Sequence, residues 1–371
     1  MPSHSQMSFT PLKFWLIKVL QNQKKRLIIS LLLALLTAIS AMGLLALSGW
    51  LITATAITGL AITAGTAVLL DIYRPGGGIR FFALSRTAGR YFERLHSHDM
   101  VLRVIAGFRI SLFTGLMDLP VQQLRNTQDS EWLSRLTADL DNLDSLLLKL
   151  LLPPIVVLSS VLLLAVFISF FWLTLGVTFG VITLLLGSIY FSFFTRKTSQ
   201  ISSDYARQIN QARSQTIEHL QGQLELQAAH LQQADQARLV SSLSKIGESQ
   251  LKLNRHIANA QLIVNICHGL LVIAVAIAAL FAYQNQLVSG PVAVMLFLAV
   301  FGLGELLLNL PGQLGQWGRT RYAAERLQPL AEHAASEKST LAEIERLSMM
   351  LADHPKVISS IDTAFAFELN P

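Results

Sequence analysis

The chain has 371 residues, 52% of them hydrophobic and only 14% charged, with a mean hydropathy of +0.49. Soluble domains carry about a quarter charged residues, so this composition excludes an ordinary soluble enzyme and points to a polytopic membrane protein. The net charge of +6 would suggest nucleic acid in a soluble chain, but here the cations flank apolar runs, where retention on the cytoplasmic side accounts for them and no nucleic-acid partner is expected.

Lys13, Lys18, Lys24, Lys25 and Arg26 precede the first long apolar run, and no acidic residue occurs before Asp71. Residues 1–26 therefore read as a cytosolic elbow with a cytoplasmic N-terminus. The lead-in is longer than a secretory signal, and no convincing A-x-A cleavage site follows it. Apolar runs occur at 27–70, 147–195, 258–284 and 291–312, and a helix crosses the hydrocarbon in about 20 residues. The first run holds either two spans, or one span over 27–52 followed by a periplasmic connection through the Gly/Thr/Ala-rich segment 53–70. The second holds two, 147–171 and 172–195, broken near Phe171-Trp172, with Pro153 and Pro154 expected to kink the first of them.

Two polar stretches, 100–146 and 196–257, are helical in pattern and poor in Gly and Pro, so each reads as a helical hairpin leaving the membrane. The first turns near Arg125-Asn126-Thr127-Gln128-Asp129 and returns to the apolar run at 147. An equal outgoing arm places the second span at 77–100. The second hairpin turns near Gln221-Gly222-Gln223. The expected fold is an all-α membrane domain of six spans (27–52, 77–100, 147–171, 172–195, 258–284, 291–312) with two long cytosolic helical hairpins, and its surroundings are membrane lipid.

Arg86, Arg90, Arg94 and His98 recur every four residues. On an α-helix each such step advances about 6 Å and drifts about 40°, so they form one cationic stripe ending in an imidazole. Each arginine within a bilayer costs on the order of 2.5–3.5 kcal/mol on insertion scales, so the stripe requires an anionic ligand, a lined cavity or a partner subunit. A segment outside the bilayer would instead present a solvated helix face.

Other chemistry-bearing residues carry weaker signals. His96 and His98 diverge by about 200° on a helix and cannot chelate one metal together, so His96 reads as an interface histidine. Cys267-His268 resembles a soft-metal pair, yet adjacent helical residues diverge by about 100°, which favours a structural role. Cys267 is the single cysteine, excluding a disulfide framework or a multi-cysteine metal site within the chain. Glu305 is an intramembrane carboxylate, a functional candidate that could equally pair with a span-two arginine. Asp99 and Arg103 form an i, i+4 pair. Asp139, Asp141 and Asp144, near Trp132, invite a hydrolase reading, but no nucleophile or metal cluster accompanies them.

The six-span plan resembles the transmembrane domain of an ABC exporter. Its motifs resemble the C-type subunit of the CydDC family, the heterodimeric transporters of cytochrome bd biogenesis. Leu47-Ser48-Gly49-Trp50 at the outer end of span one, Gly78-Ile79-Arg80, the block Arg86 to Leu95 and Ser97-His98-Asp99 carry that resemblance. So do Arg135-Leu136-Thr137-Ala138-Asp139, Asp141-Asn142-Leu143-Asp144, Leu220-Gln221-Gly222-Gln223 and Glu225-Leu226.

The resemblance implies a CydD-type partner subunit, a bacterial inner-membrane location and, as substrate, haem or a small thiol such as glutathione or cysteine. For haem b, residue chemistry would make His98 the axial iron ligand, Arg94 and Arg90 the propionate contacts, and Arg86 a first contact nearer the outer surface. Asp139, Asp141, Asp144 and Gly222 would belong to the surface that meets the nucleotide-binding domains. A haem-binding assembly scaffold that does not transport is the reading from a different class.

Residues 313–357 resemble the family's linker, and 358–371 the first strand of a nucleotide-binding domain. No G-x-x-x-x-G-K-[ST] loop occurs in the 371 residues, so ATP and Mg are expected to act only through a domain that these residues do not include. A fragment, a split gene product or a shortened form would each account for this.

Overall fold

The computed structural model describes residues 10–66, 69–117, 119, 122, 131–132 and 135–332. The expected first-hairpin turn at 125–129, most of the expected linker and the expected strand over 358–371 lie outside them. The described residues contain helices and no strand.

Helix α1 runs Thr10–Thr63 and is kinked at Gln23 (φ −133°, ψ 25°), which separates a short leading helix from the first long apolar stretch. The apolar part continues as one helix from Gln23 to Thr63. Segment 53–63 is thus neither a second span nor a connection, and Leu47-Ser48-Gly49-Trp50 lies inside α1 rather than at its end. The threonines that suggested a loop are absorbed by the helix. Thr53, Thr55 and Thr58 donate their hydroxyls to the carbonyls of Gly49, Leu51 and Ala54, satisfying the polar groups within one turn. Gly65, at φ +86°, ends the helix: its N–H bonds Ile62 O and Thr66 N–H bonds Ala61 O, the paired bonds of a left-handed cap.

Asp71 starts α2 (Tyr73–Met117) by accepting the Tyr73 and Arg74 N–H groups. A π-helical turn (Arg135–Asp139), α3 (Leu140–Ser145) and a second π-helical turn (Leu146–Leu151) lead into α4 (Leu152–Phe171). Pro153 and Pro154 occupy the first turn of α4, where a missing N–H costs nothing, so they begin this helix and do not kink it. Trp172, extended at φ −151° and ψ 103°, makes the expected break before α5 (Leu173–Gln221).

Gly222 closes α5, followed by α6 (Gln223–Ala228) and α7 (Gln232–Gln284). The sixth apolar helix is divided into α8 (Gly290–Gly302) and α9 (Gly304–Leu314), and a final helix, α10, occupies 317–332.

Among the described residues six helices are long and apolar enough to cross a membrane: Gln23–Thr63, Tyr73–Met117, Leu152–Phe171, Leu173–Gln221, Gln232–Gln284 and Gly290–Leu314. At about 1.5 Å per residue, α5 and α7, with 49 and 53 residues, greatly exceed a hydrocarbon layer of about 30 Å. Their surplus forms the second hairpin, at what is here termed the hairpin end.

Two apolar cores hold the bundle. One lies among the spans and includes Met42, Leu164, Ile168, Phe179, Leu296, Val300 and Leu303. The other lies at the hairpin end, where Met100, Val104, Phe108 and Leu112 of α2 recur every four residues and bury one stripe against Trp15, Leu140 and Leu327. Trp15 is fully buried, donates Nε1–H to Ala324 O at 3.2 Å and stacks edge-on against Phe108 at 4.6 Å. The leading helix is thereby fastened to both α2 and α10.

Candidate functional site: a charged stripe on the second span

Gly89, Ser97, Met100, Val101 and Val104 are buried residues of α2. Arg86, Arg90, Arg94 and His98 lie off that buried face; Arg90, Arg94 and His98 are exposed and Arg86 half-buried. The helix therefore packs with one face and presents the cationic stripe with another.

Glu305, in the first turn of α9, answers the first half of the stripe. Arg86 donates through one guanidinium nitrogen to both carboxylate oxygens, at 2.9 and 2.7 Å, and Arg90 donates to Oε1 at 2.7 Å. The pairing that sequence left open is thus made by two arginines at once, joining the second span to the sixth. Arg94 and His98 make no side-chain hydrogen bond or ion pair with other described residues. At one end of the stripe two arginines share a single carboxylate, and the other end presents a guanidinium and an imidazole one turn apart, with the Glu93 carboxylate near enough to both to interact electrostatically.

The other candidates separate cleanly. His96 is half-buried, with Nε2 enclosed and unpartnered, and it is not gathered with His98. Among the described residues no group of three or more His, Cys, Asp or Glu side chains could hold a metal ion. Cys267 is exposed, whereas the neighbouring His268 sets Nε2 3.1 Å from Val300 O of α8. Asp99 bonds Arg103 at 3.0 Å, as the i, i+4 spacing implied, and also pairs with Arg26 of α1 at 3.1 Å.

The acidic residues near the first hairpin part company. Asp139 is fully buried and faces Arg326 of α10 at 2.9 Å, while Asn210 of α5 reaches its other oxygen at 3.5 Å. Such a side chain belongs to an internal ion pair within this chain. Arg326 also bonds Glu131 at 3.2 Å, and Arg135 bonds Glu131 at 2.6 Å while lying over the Trp132 ring at 4.7 Å. Burial pushes the Asp139 carboxyl above its ordinary value, and the surrounding Arg326, Asn210, Arg135 and Arg213 offset this only in part. Asp141 is exposed; the Asp144 side chain lies outside the described residues. Gly222 sits at the tip of the second hairpin beside a cavity of about 570 Å³, where His219 Nδ1 meets Asp235 at 2.6 Å.

Sequence reasoning missed the Arg326 network and the break between α8 and α9. Gly302 and Gly304 flanking Leu303 were the available sign of the latter.

Six apolar helices, two of them prolonged into a long hairpin and two of them joined by ion pairs, make a multi-pass membrane domain, an architecture consistent with the transmembrane part of an ABC exporter. The chain is homologous to the CydC and CydD permease subunits. Over 312 residues it is 29% identical to the glutathione/L-cysteine transport system ATP-binding/permease protein CydC of Escherichia coli, an alignment covering 84% of this chain and 54% of that protein. It is 32% identical over 210 residues to the CydC of Haemophilus influenzae, covering 57% of this chain and 35% of that protein. The CydD of Bacillus subtilis is 28% identical over 152 residues, covering 41% of this chain and 25% of that protein. The chain thus spans about half the length of the first of these relatives and less of the other two. No family model matches it.

Proposed function

We propose that this chain is the membrane subunit of a heterodimeric ABC transporter of the bacterial inner membrane, that it serves cytochrome bd assembly, and that it binds haem on α2 and moves it with ATP hydrolysed by nucleotide-binding domains. Its partner is a CydD-type subunit. Its N-terminus and both hairpins face the cytosol, in keeping with the five cations ahead of the first span.

The observation that carries the substrate reading is the division of the stripe. Glu305 occupies Arg86 and Arg90, whereas Arg94 and the His98 imidazole are exposed on the same helix face. A neutral imidazole supplies a nitrogen that can ligate haem iron, and a guanidinium one turn away can hold a propionate in a two-pronged bond. Arg90, exposed although it touches Glu305, is placed for a second carboxylate.

A second reading, export of glutathione or cysteine, draws on the printed names of the relatives. Thiol peptides are anions that the arginines would serve, but they give His98 no role. A visible absorption spectrum of the purified two-subunit complex, with and without His98, separates the two. A Soret band that depends on His98 supports haem, and its absence from the haem-supplemented wild type excludes it.

A further inference from the structure

The carboxylate that pairs with the stripe is mounted on a break. Leu303 N–H returns to Val300 O at 3.1 Å, and Leu306 and Leu307 both return to Leu303 O, so the sixth apolar helix changes its hydrogen-bond register at Leu303. His268 of α7 lies against this point. Its Nε2 is 3.1 Å from Val300 O, and its ring covers Gly304 so closely that a Cβ there would lie 2.7 Å from Cε1. Glu305 is the next residue, and it emerges toward α2.

The triad that results is reachable. Exposure is 30% at Arg86, 41% at Glu305 and 56% at Arg90, so none of the described residues seals these charges. Three guanidinium groups, Arg86, Arg90 and Arg94, face two carboxylates, Glu305 and the neighbouring Glu93, so the stripe keeps an excess of positive charge. A ligand carboxylate arriving at Arg94 is within one helical turn, about 6 Å, of Arg90 and competes there with Glu305 for the same donors.

We infer that Glu305 is a displaceable counter-ion: an anionic substrate takes Arg90 from it and so loosens α9 from α2, leaving Arg86 as the remaining tie of the triad. This rests on the stripe being the substrate site. It makes occupancy of the stripe a determinant of the position of α9, and through it of α10, which Arg326 ties to the segment before α4. The His268–Gly304 contact keeps Glu305 aimed at the arginines while the site is empty.

The test titrates hemin, its dimethyl ester and glutathione into the two-subunit complex, comparing wild type with Glu305→Gln. Arg86→Gln is compared in parallel with the charge-balanced Arg86→Gln/Glu305→Gln, which covers failure of the single Glu305 variant to fold. Removing the competitor should tighten binding of hemin by about tenfold and leave the ester, which has no carboxylates, unchanged. Unchanged or weaker hemin binding, with wild-type binding intact, overturns the displacement and leaves the haem reading standing. If hemin does not bind wild type, the haem reading falls and the glutathione series decides: tightening upholds displacement, no change overturns it. Binding of neither probe overturns both.

Discussion

Arg326 of α10 and Asp139 of the first π-helical turn face one another at 2.9 Å, with Asp139 wholly enclosed and Arg326 only 15% exposed. The pair joins the helix after the sixth span to the segment that precedes the third. Removing one member of a buried ion pair strands the other, so Arg326→Met should destabilise the protein by about 3–5 kcal/mol, whereas Asp139→Asn/Arg326→Met should recover much of that loss. Melting midpoints of the detergent-purified complex check this. Equal midpoints for the single and double variants would show that the pair contributes little.

The same carboxyl gives the pair a pH dependence. Because the folded pKa of Asp139 is raised, the unfolded chain gives up this proton first as pH rises. Ionisation in the fold therefore costs stability, a cost absent below the ordinary carboxylate range and fully present above the raised value. Loss of Arg326 removes the principal charge opposing that shift. The Arg326→Met defect should accordingly be larger at about pH 7.5 than at about pH 5.5, and Asp139→Asn should abolish the difference. Midpoints measured across that range provide the check.

A topological prediction follows from α2. In a Cys267→Ser background, a cysteine at Ser85 should resist an impermeant thiol reagent applied from the hairpin side, while one at the exposed Glu225 should react readily. Strong labelling at both would place the stripe outside the bilayer.

The 371 residues contain no G-x-x-x-x-G-K-[ST] motif, and none of the clusters described above supplies a substitute nest of backbone amides. Purified alone, the chain should neither bind nor hydrolyse ATP. Saturable binding in an equilibrium titration would contradict this.

Much of the plan was legible because membrane helices obey few rules. Trp172 and Gly222 mark reversals that chain length alone demanded, and the four-residue recurrence from Arg86 to His98 requires only helix geometry. What escaped was of two kinds. Thr53, Thr55 and Thr58 looked like loop residues because composition does not reveal that each hydroxyl bonds back to its own helix. The partnership of Asp139 with Arg326 is set by how helices distant in sequence come together, and no local pattern encodes it. Glu305 stood between these cases: a carboxylate inside an apolar run calls for a cation, but only packing chose Arg86 and Arg90.

The Arg94–His98 end of the stripe is the proposed haem site, and it is tested most directly by a Soret-monitored hemin titration of His98→Ala, Arg94→Ala and His96→Ala in the two-subunit complex. His98→Ala should abolish the band or shift it strongly, since it removes the iron ligand. Arg94→Ala should weaken binding about 10- to 150-fold, the equivalent of about 1.5–3 kcal/mol for one charged hydrogen-bonded contact. His96→Ala, half-buried and off the stripe, should bind nearly as wild type. Equal affinities for all three variants would contradict the haem site and leave the stripe to a different anion.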